Sequence, residues 1–179
     1  MLDAIARGGD RMGRLVDDLF TAARLERGVL EMRPTEVAIE GALHDAVDQR
    51  RFGEGGPAIT IDCPVDLAVM ADPIRLQQML GNYLDNAERY GEPPIAVSAE
   101  LGDGSVTIRV RDQGAGFDRD TAQGLFTKFG KGPHAGGSGL GLFLVRELAR
   151  AQDGDAWVEL ADEGGACFAL RLPAVSSSR

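Results

Sequence analysis

The sequence predicts an α+β fold: a two-layer sandwich in which helices cover one mixed, mostly antiparallel sheet, preceded by a long amphipathic helix. Three observations carry this reading. Apolar residues recur at helical spacing in separate segments, such as Met12, Leu15, Val16, Leu19, Phe20 and Ala23. Other segments alternate and are joined by tight-turn residues, as at Gly102, Asp103 and Gly104. Finally, 179 residues with 44% hydrophobic content suffice for one core plus a short appendage.

Element by element, charged residues fill the polar face of the first helix, and Gly28 ends it. Gly8 and Gly9 each weaken a helix by about 1 kcal/mol relative to alanine, so fraying is expected over residues 2–7. Pro34 and Thr35 open a strand or turn into a second helix, about Ile39 to Arg51, and the glycine-rich Phe52 to Pro57 is a loop. Strands are expected at Ala58 to Cys63 and Leu67 to Ala71. Asp72 then supplies an N-cap and Pro73 a first-turn proline for a helix reaching Tyr90. Residues Ile95 to Leu101 and Ser105 to Arg111 form a hairpin, followed by a glycine-studded stretch from Asp112 to Gly141. A helix from Leu142 to Ala151 leads to two closing strands, Ala156 to Leu160 and Ala166 to Leu172, around a turn at Asp162 to Gly165. The domain division is therefore a helix at 1–30, a domain at 31–175 and a disordered tail at 176–179, where Ser176, Ser177 and Ser178 read as a frayed end.

Composition narrows the function classes. With 28 acidic against 19 basic residues and a net charge of -9, a sequence-independent grip on nucleic acid or an anionic membrane is disfavoured, so any phosphate site must be local. Cys63 and Cys167 lie far apart with no CxxC spacing, which fits reduced core residues and a cytoplasmic location. No apolar run approaches the roughly 20 residues of a membrane-spanning helix, and no membrane contact by this chain is expected.

Three segments carry candidate chemistry. On the helix opened by Asp72, Asn82 and Asn86 are four residues apart and share one face. Alone they also read as surface amides, but Leu76, Met79, Leu80, Tyr83 and Leu84 form an apolar stripe whose edge would hold them against the sheet. Beside nucleotide phosphates, an amide oxygen can complete the octahedral shell of magnesium, which takes few protein ligands. The second segment, Asp112-Gln113-Gly114-Ala115-Gly116-Phe117, follows a strand. Its carboxylate can accept a hydrogen bond from an exocyclic amine such as adenine's, where glycines let the backbone approach; a plain strand-ending turn is the competing reading. The third, Gly136-Gly137-Ser138-Gly139-Leu140-Gly141-Leu142, opens a helix, where exposed amides and the helix dipole favour phosphate, although the same glycines also fit a simple hinge. It is not a dinucleotide fingerprint, since Leu142 stands where the third glycine would be, and GxxxxGK[ST] is absent. Serine/threonine kinase signatures are missing too.

In this order the three segments resemble the N, G1 and G2 boxes of sensor histidine kinases, whose ATPase fold is shared with gyrase-type ATPases. Leu125-Phe126-Thr127-Lys128-Phe129 looks like the F box, and Gly164 to Pro173 is similar to the family's closing strand. Arg11 to Leu19 and Arg24-Leu25-Glu26 look like the second helix of the dimerisation and phosphotransfer domain. The resemblance implies ATP and Mg2+ as cofactors, with Asn86 as magnesium ligand, Asn82 beside it at the phosphates and Asp112 reading adenine. Gly114 and Gly116 would let the backbone turn under the base, next to Phe117. Arg89 and Tyr90 stand where the family usually has Lys-Tyr, which implies phosphate contact by Arg89 and packing of Tyr90 beside ribose or base. Gly137, Gly139 and Gly141, with Ser138, Leu140 and Leu142 between and after them, would hinge a lid from about Phe117 to Gly139, on which Lys128 and Lys131 either offset phosphate charge or remain solvated.

The family's acceptor is a histidine followed by an acidic residue and then a proline. His44 has an acidic neighbour but no nearby proline, and His134 lies in the expected lid, so neither fits. The acceptor is therefore expected on a histidine-containing dimerisation and phosphotransfer protein in trans or in upstream sequence, with a response regulator engaged indirectly. Met1 permits a natural start, which makes one half of a kinase divided over two proteins one expectation and a fragment the other. The unpaired stripe of the first helix calls for a helical partner, since burial is worth about 25 cal/mol per Å²; folding back on its own domain is the alternative. Rival functions are an anti-sigma-factor-type serine kinase and a non-catalytic nucleotide-sensing module. The serine kinases carry a glutamate base where this chain has Asn82, and a hydroxyl needs that base more than an imidazole does.

Overall fold

The computed structural model describes residues 2–49, 58–130, 138–160 and 164–175. In chain order the elements are α1 (Leu2–Glu26), β1 (Thr35–Ala38), α2 (Ile39–Asp48), β2 (Ile59–Asp62), β3 (Ala68–Ala71), α3 (Pro73–Tyr90) and β4 (Ile95–Gly102), followed by β5 (Ser105–Arg111), α4 (Arg119–Gly124), α5 (Gly141–Arg150), β6 (Asp155–Leu160) and β7 (Ala166–Pro173). The expected loop at 52–57, the tail at 176–179, and Asp162 of the closing turn lie outside the described residues.

The main sheet has the order β2-β4-β5-β7-β6, parallel only between β2 and β4 and antiparallel elsewhere. This is the mixed, mostly antiparallel sheet expected from the sequence. The hairpin between β4 and β5 turns through Asp103 and Gly104, both at positive φ (50° and 72°), matching the right-handed twist of the strands. A small second sheet pairs β1 with β3, and a bridge from Val69 to Ala174 joins it to the end of β7.

One core lies between sheet and helices. Val106, Ile108 and Val110 alternate inward from β5 and meet Leu80 and Tyr83 of α3 and Val145 and Leu148 of α5 in a single cluster. The opposite face is polar, with Arg109 of β5 paired to Glu100 on the neighbouring β4 and, across β7, to Glu159 on β6.

Two elements differ from the sequence expectation. Helix α1 continues through Gly8 and Gly9 to Leu2, where fraying was expected. Within the glycine-studded stretch, α4 forms a short helix capped by Asp118, whose side chain accepts from the Thr121 N–H at 2.7 Å. It buries no residue, so it leaves no apolar period to read. Of the two alternatives for helix α1, folding back on its own domain is seen at its C-terminal half. Thr21 and Ala22 are buried against the body of the domain, while Met12, Val16, Leu19 and Phe20 stay exposed.

Candidate functional site

Helix α3 sets the site. Asp72 caps it, its Oδ1 accepting from the Ile74 and Arg75 N–H groups at 3.0 and 3.2 Å. Oδ2 of the same side chain accepts from Arg33 N–H at 3.0 Å, and the Asp72 N–H donates to Gln152 at 2.6 Å, so the helix start is held from three sides. Leu76, Met79, Leu80, Tyr83, Leu84 and Ala87 are buried and fix the rotation of the helix. Tyr83 donates its hydroxyl to Ala169 O at 2.8 Å, tying α3 to β7, and burial holds that hydroxyl well above the ordinary phenol range. With the inner face so fixed, the flank carrying Asn82, Asn86 and Arg89 lines a cavity of about 480 Å³.

The opposite end of the cavity is set where β5 stops. Asp112 is 3% exposed, and its Oδ1 accepts from Gly114 N–H at 2.8 Å and from Ala166 N–H at 3.2 Å. Both bonds use one oxygen and hold the carboxylate in a single orientation at the cavity wall. The chain after α3 passes directly against it: a Cβ at Gly91 would sit 2.4 Å from Asp112 Cγ, so this approach admits only glycine. The wall between is aromatic. Phe168 of β7 packs against Tyr83 and Phe117 with centroid distances of 5.5 and 5.9 Å.

The structure brings most of the expected residues to this one cavity: Asn82, Asn86, Arg89 and Tyr90 from α3, Asp112, Gly116 and Phe117 after β5, and Ser138, Gly139, Gly141 and Leu142 at the start of α5. Asn82 Nδ2 donates to Gly141 O at 3.3 Å, which joins the first and third segments. Gly139 adopts φ 69°, and a Cβ there would lie 2.7 Å from the backbone of Phe129. Gly114 stands behind Asp112 as its hydrogen-bond donor, and Leu140 is buried, its N–H donating to Ser138 Oγ at 3.2 Å. Lys128 is off the cavity wall, ion-paired with Glu26 of α1. Lys131 and Gly137 lie outside the described residues, as does His134; His44 is exposed on α2 and away from the cavity.

Several wall residues were not singled out in the sequence. Arg75, Gln78 and Asp85 line the cavity from α3 itself, at the helical spacing that links them to Asn82 and Arg89, so the signal was available. Asp17, Asp18 and Thr21 reach it from α1, a placement no local pattern encodes.

The cavity has the size of a small-molecule or cofactor site. A buried carboxylate oxygen at one end and helix-borne amides along the wall suit a base with an exocyclic amine and a phosphate chain. Among the described residues no group of three His, Cys, Asp or Glu could hold a metal by itself. The donor set fits a magnesium ion carried by phosphate oxygens and water, with an amide such as Asn86 as its protein ligand. Among the described residues no helix is long and apolar enough to cross a membrane.

The family model described as histidine kinase-, DNA gyrase B- and HSP90-like ATPase matches residues 71–176. The chain is 34% identical over 167 residues to the signal transduction histidine-protein kinase AfsQ2 of Streptomyces coelicolor, covering 91% of this chain and 31% of that protein. It is 39% identical over 134 residues to the sensor histidine kinase component HK1 of Mycobacterium tuberculosis, covering 73% of this chain and 79% of that one. Among solved structures, full-length ShkA in complex with AMPPNP superposes with a TM-score of 0.81 at 30% identity, covering 99% of this chain and 39% of that chain. This chain thus spans well under half the length of AfsQ2 and of ShkA.

Proposed function

The chain belongs to the family of histidine kinase-, DNA gyrase B- and HSP90-like ATPases, and from that premise we propose that it is the ATP-binding catalytic part of a two-component sensor histidine kinase. It transfers the ATP γ-phosphoryl group to a histidine supplied by a partner chain or by sequence upstream. One observation carries this reading: Asn86 and Asp112, which come from separate elements, line the same cavity.

In this assignment Asp112 accepts a hydrogen bond from the adenine amine through the carboxylate oxygen that the backbone does not use. Tyr90 and Phe117 flank base and ribose, and Arg89 neutralises phosphate charge. Asn82 orients the start of α5 through its bond to Gly141, so that the backbone at Ser138 to Leu142 faces the phosphates. Asn86 is the protein ligand of Mg2+, which offsets the charge of the phosphate chain when bound. Catalysis of phosphoryl transfer is largely positioning and charge stabilisation, so the chain needs no nucleophile of its own.

The domain division follows. We assign residues 31–175 to the catalytic domain and α1 to the second helix of a dimerisation and phosphotransfer domain, with a histidine-bearing helix as partner for its exposed face. Similarity to a protein named a histidine kinase component supports a kinase divided between chains. The response regulator is then engaged through the phosphorylated partner, not through this cavity.

The test supplies labelled ATP and a histidine-containing phosphotransfer bundle and examines the product. Label on the bundle that is lost in acid and kept in base is the expected result. Acid-stable label would reassign the chain to serine kinases, and no label would leave a nucleotide-sensing module.

A further inference from the structure

The cavity continues along α3 beyond the amides. Asp112 sits at the C-terminal end of the helix, against Gly91. From Tyr90 back to Asn82 the helix rises about 12 Å, and from Asn82 to Arg75 about 10 Å more. Arg75 and Gln78 are on the cavity wall in that second stretch. A nucleotide anchored by its base at Asp112, with its phosphates beside Asn86 and Asn82, therefore directs its terminal phosphate toward them.

Arg75 is unusual there. Among the described residues lining the cavity the only cations are Arg75 and Arg89, one toward each end of α3. Arg75 Nη1 donates to Gln78 Oε1 at 3.0 Å, and Gln78 Nε2 donates onward to Asp18 Oδ1 of α1, also at 3.0 Å. Its Nε is buried and has no hydrogen-bond partner among the described residues. Asp17, Asp18 and Asp85 share the wall, yet Arg75 forms no ion pair with any described residue. A buried guanidinium donor left unpaired is costly, and such exceptions in folded chains point to a ligand or water that completes them.

We propose that Arg75 is a ligand of the terminal phosphoryl group, held ready by Gln78 and Asp18. This rests on the nucleotide reading above. During transfer the bond from the γ-phosphorus to the β–γ bridging oxygen breaks with its electron pair passing to ADP. A bond from the same phosphorus to the acceptor imidazole nitrogen forms, and the imidazole N–H proton passes to solvent. The γ-oxygens stay anionic throughout, and the planar guanidinium fork suits them better than a point charge does. Because Gln78 is anchored on α1, the position of that helix sets the position of the fork.

The experiment compares ADP with a non-hydrolysable ATP analogue by calorimetry, in the wild-type chain and in Arg75→Gln and Arg75→Lys. Loss of one charge-assisted hydrogen bond should weaken the analogue about tenfold in Arg75→Gln. ADP, which lacks the γ-phosphate, should bind within about twofold of wild type, and Arg75→Lys should recover part of the loss. Unchanged analogue affinity in Arg75→Gln, or equal weakening of both nucleotides, overturns the assignment. A wild-type chain that binds neither nucleotide sinks the proposed function as well, which separates the two failures.

Discussion

Under the proposed function, Asp112 joins backbone geometry to ligand choice within one side chain. Its Oδ1 is occupied by the Gly114 and Ala166 N–H groups, so the second oxygen is the one a base can use. Adenine offers an amine to that oxygen where guanine offers a carbonyl, so the site should discriminate between them. Asp112→Ala should abolish measurable ATP binding while leaving the far-UV circular dichroism unchanged, and titration calorimetry showing wild-type affinity would end this assignment. The carboxylate was legible in the sequence because a strand end followed by glycines is a local pattern. Arg75 was equally visible at helical spacing from Asn82, but its unpaired Nε depends on what surrounds it, which spacing does not record.

Among the elements, α3 carries most of the site and depends on its first turn. Asp72 caps two N–H groups and accepts a third from Arg33 while 5% exposed. Asp72→Ala should cost about 1–2 kcal/mol from the cap, with more from the stranded Arg33 N–H. A urea midpoint equal to wild type would show that the cap is dispensable. Cap, proline and apolar stripe all lie within the helix's own sequence, which is why its bounds were readable. Helix α4 was not, because a single polar turn that buries no residue has no periodicity. Helix α1 was half readable: its stripe announced an amphipathic helix, but the stripe alone left open whether the partner is this domain or another chain.

At the scale of the whole molecule, buried protonated groups set the alkaline limit. Burial, then the neighbouring Glu159 carboxylate, push the Cys167 thiol up to about 11, against the smaller opposing pull of Arg109 and Arg111. Tyr83 is raised by burial in the same sense. A group whose pKa is raised by folding contributes stability that is complete below its unfolded value and is lost as pH rises through the folded one. Stability should therefore fall as pH rises from about 9 to about 11, and Cys167→Ala should flatten part of that fall. Urea midpoints that do not change over this interval would contradict the burial argument. Local pattern by itself determined the helices other than α4, the hairpin, the amide pair, the strand-end carboxylate and the glycines that open α5, because each follows from backbone period, capping or turn chemistry within a few residues. Only the folded chain decided that these segments share one cavity, that Thr21 and Ala22 of α1 are buried while Met12 and Phe20 are not, and that Lys128 pairs with Glu26, 102 residues away. Periodicity states which face of an element is apolar; which surface that face meets is settled by packing between segments remote in sequence.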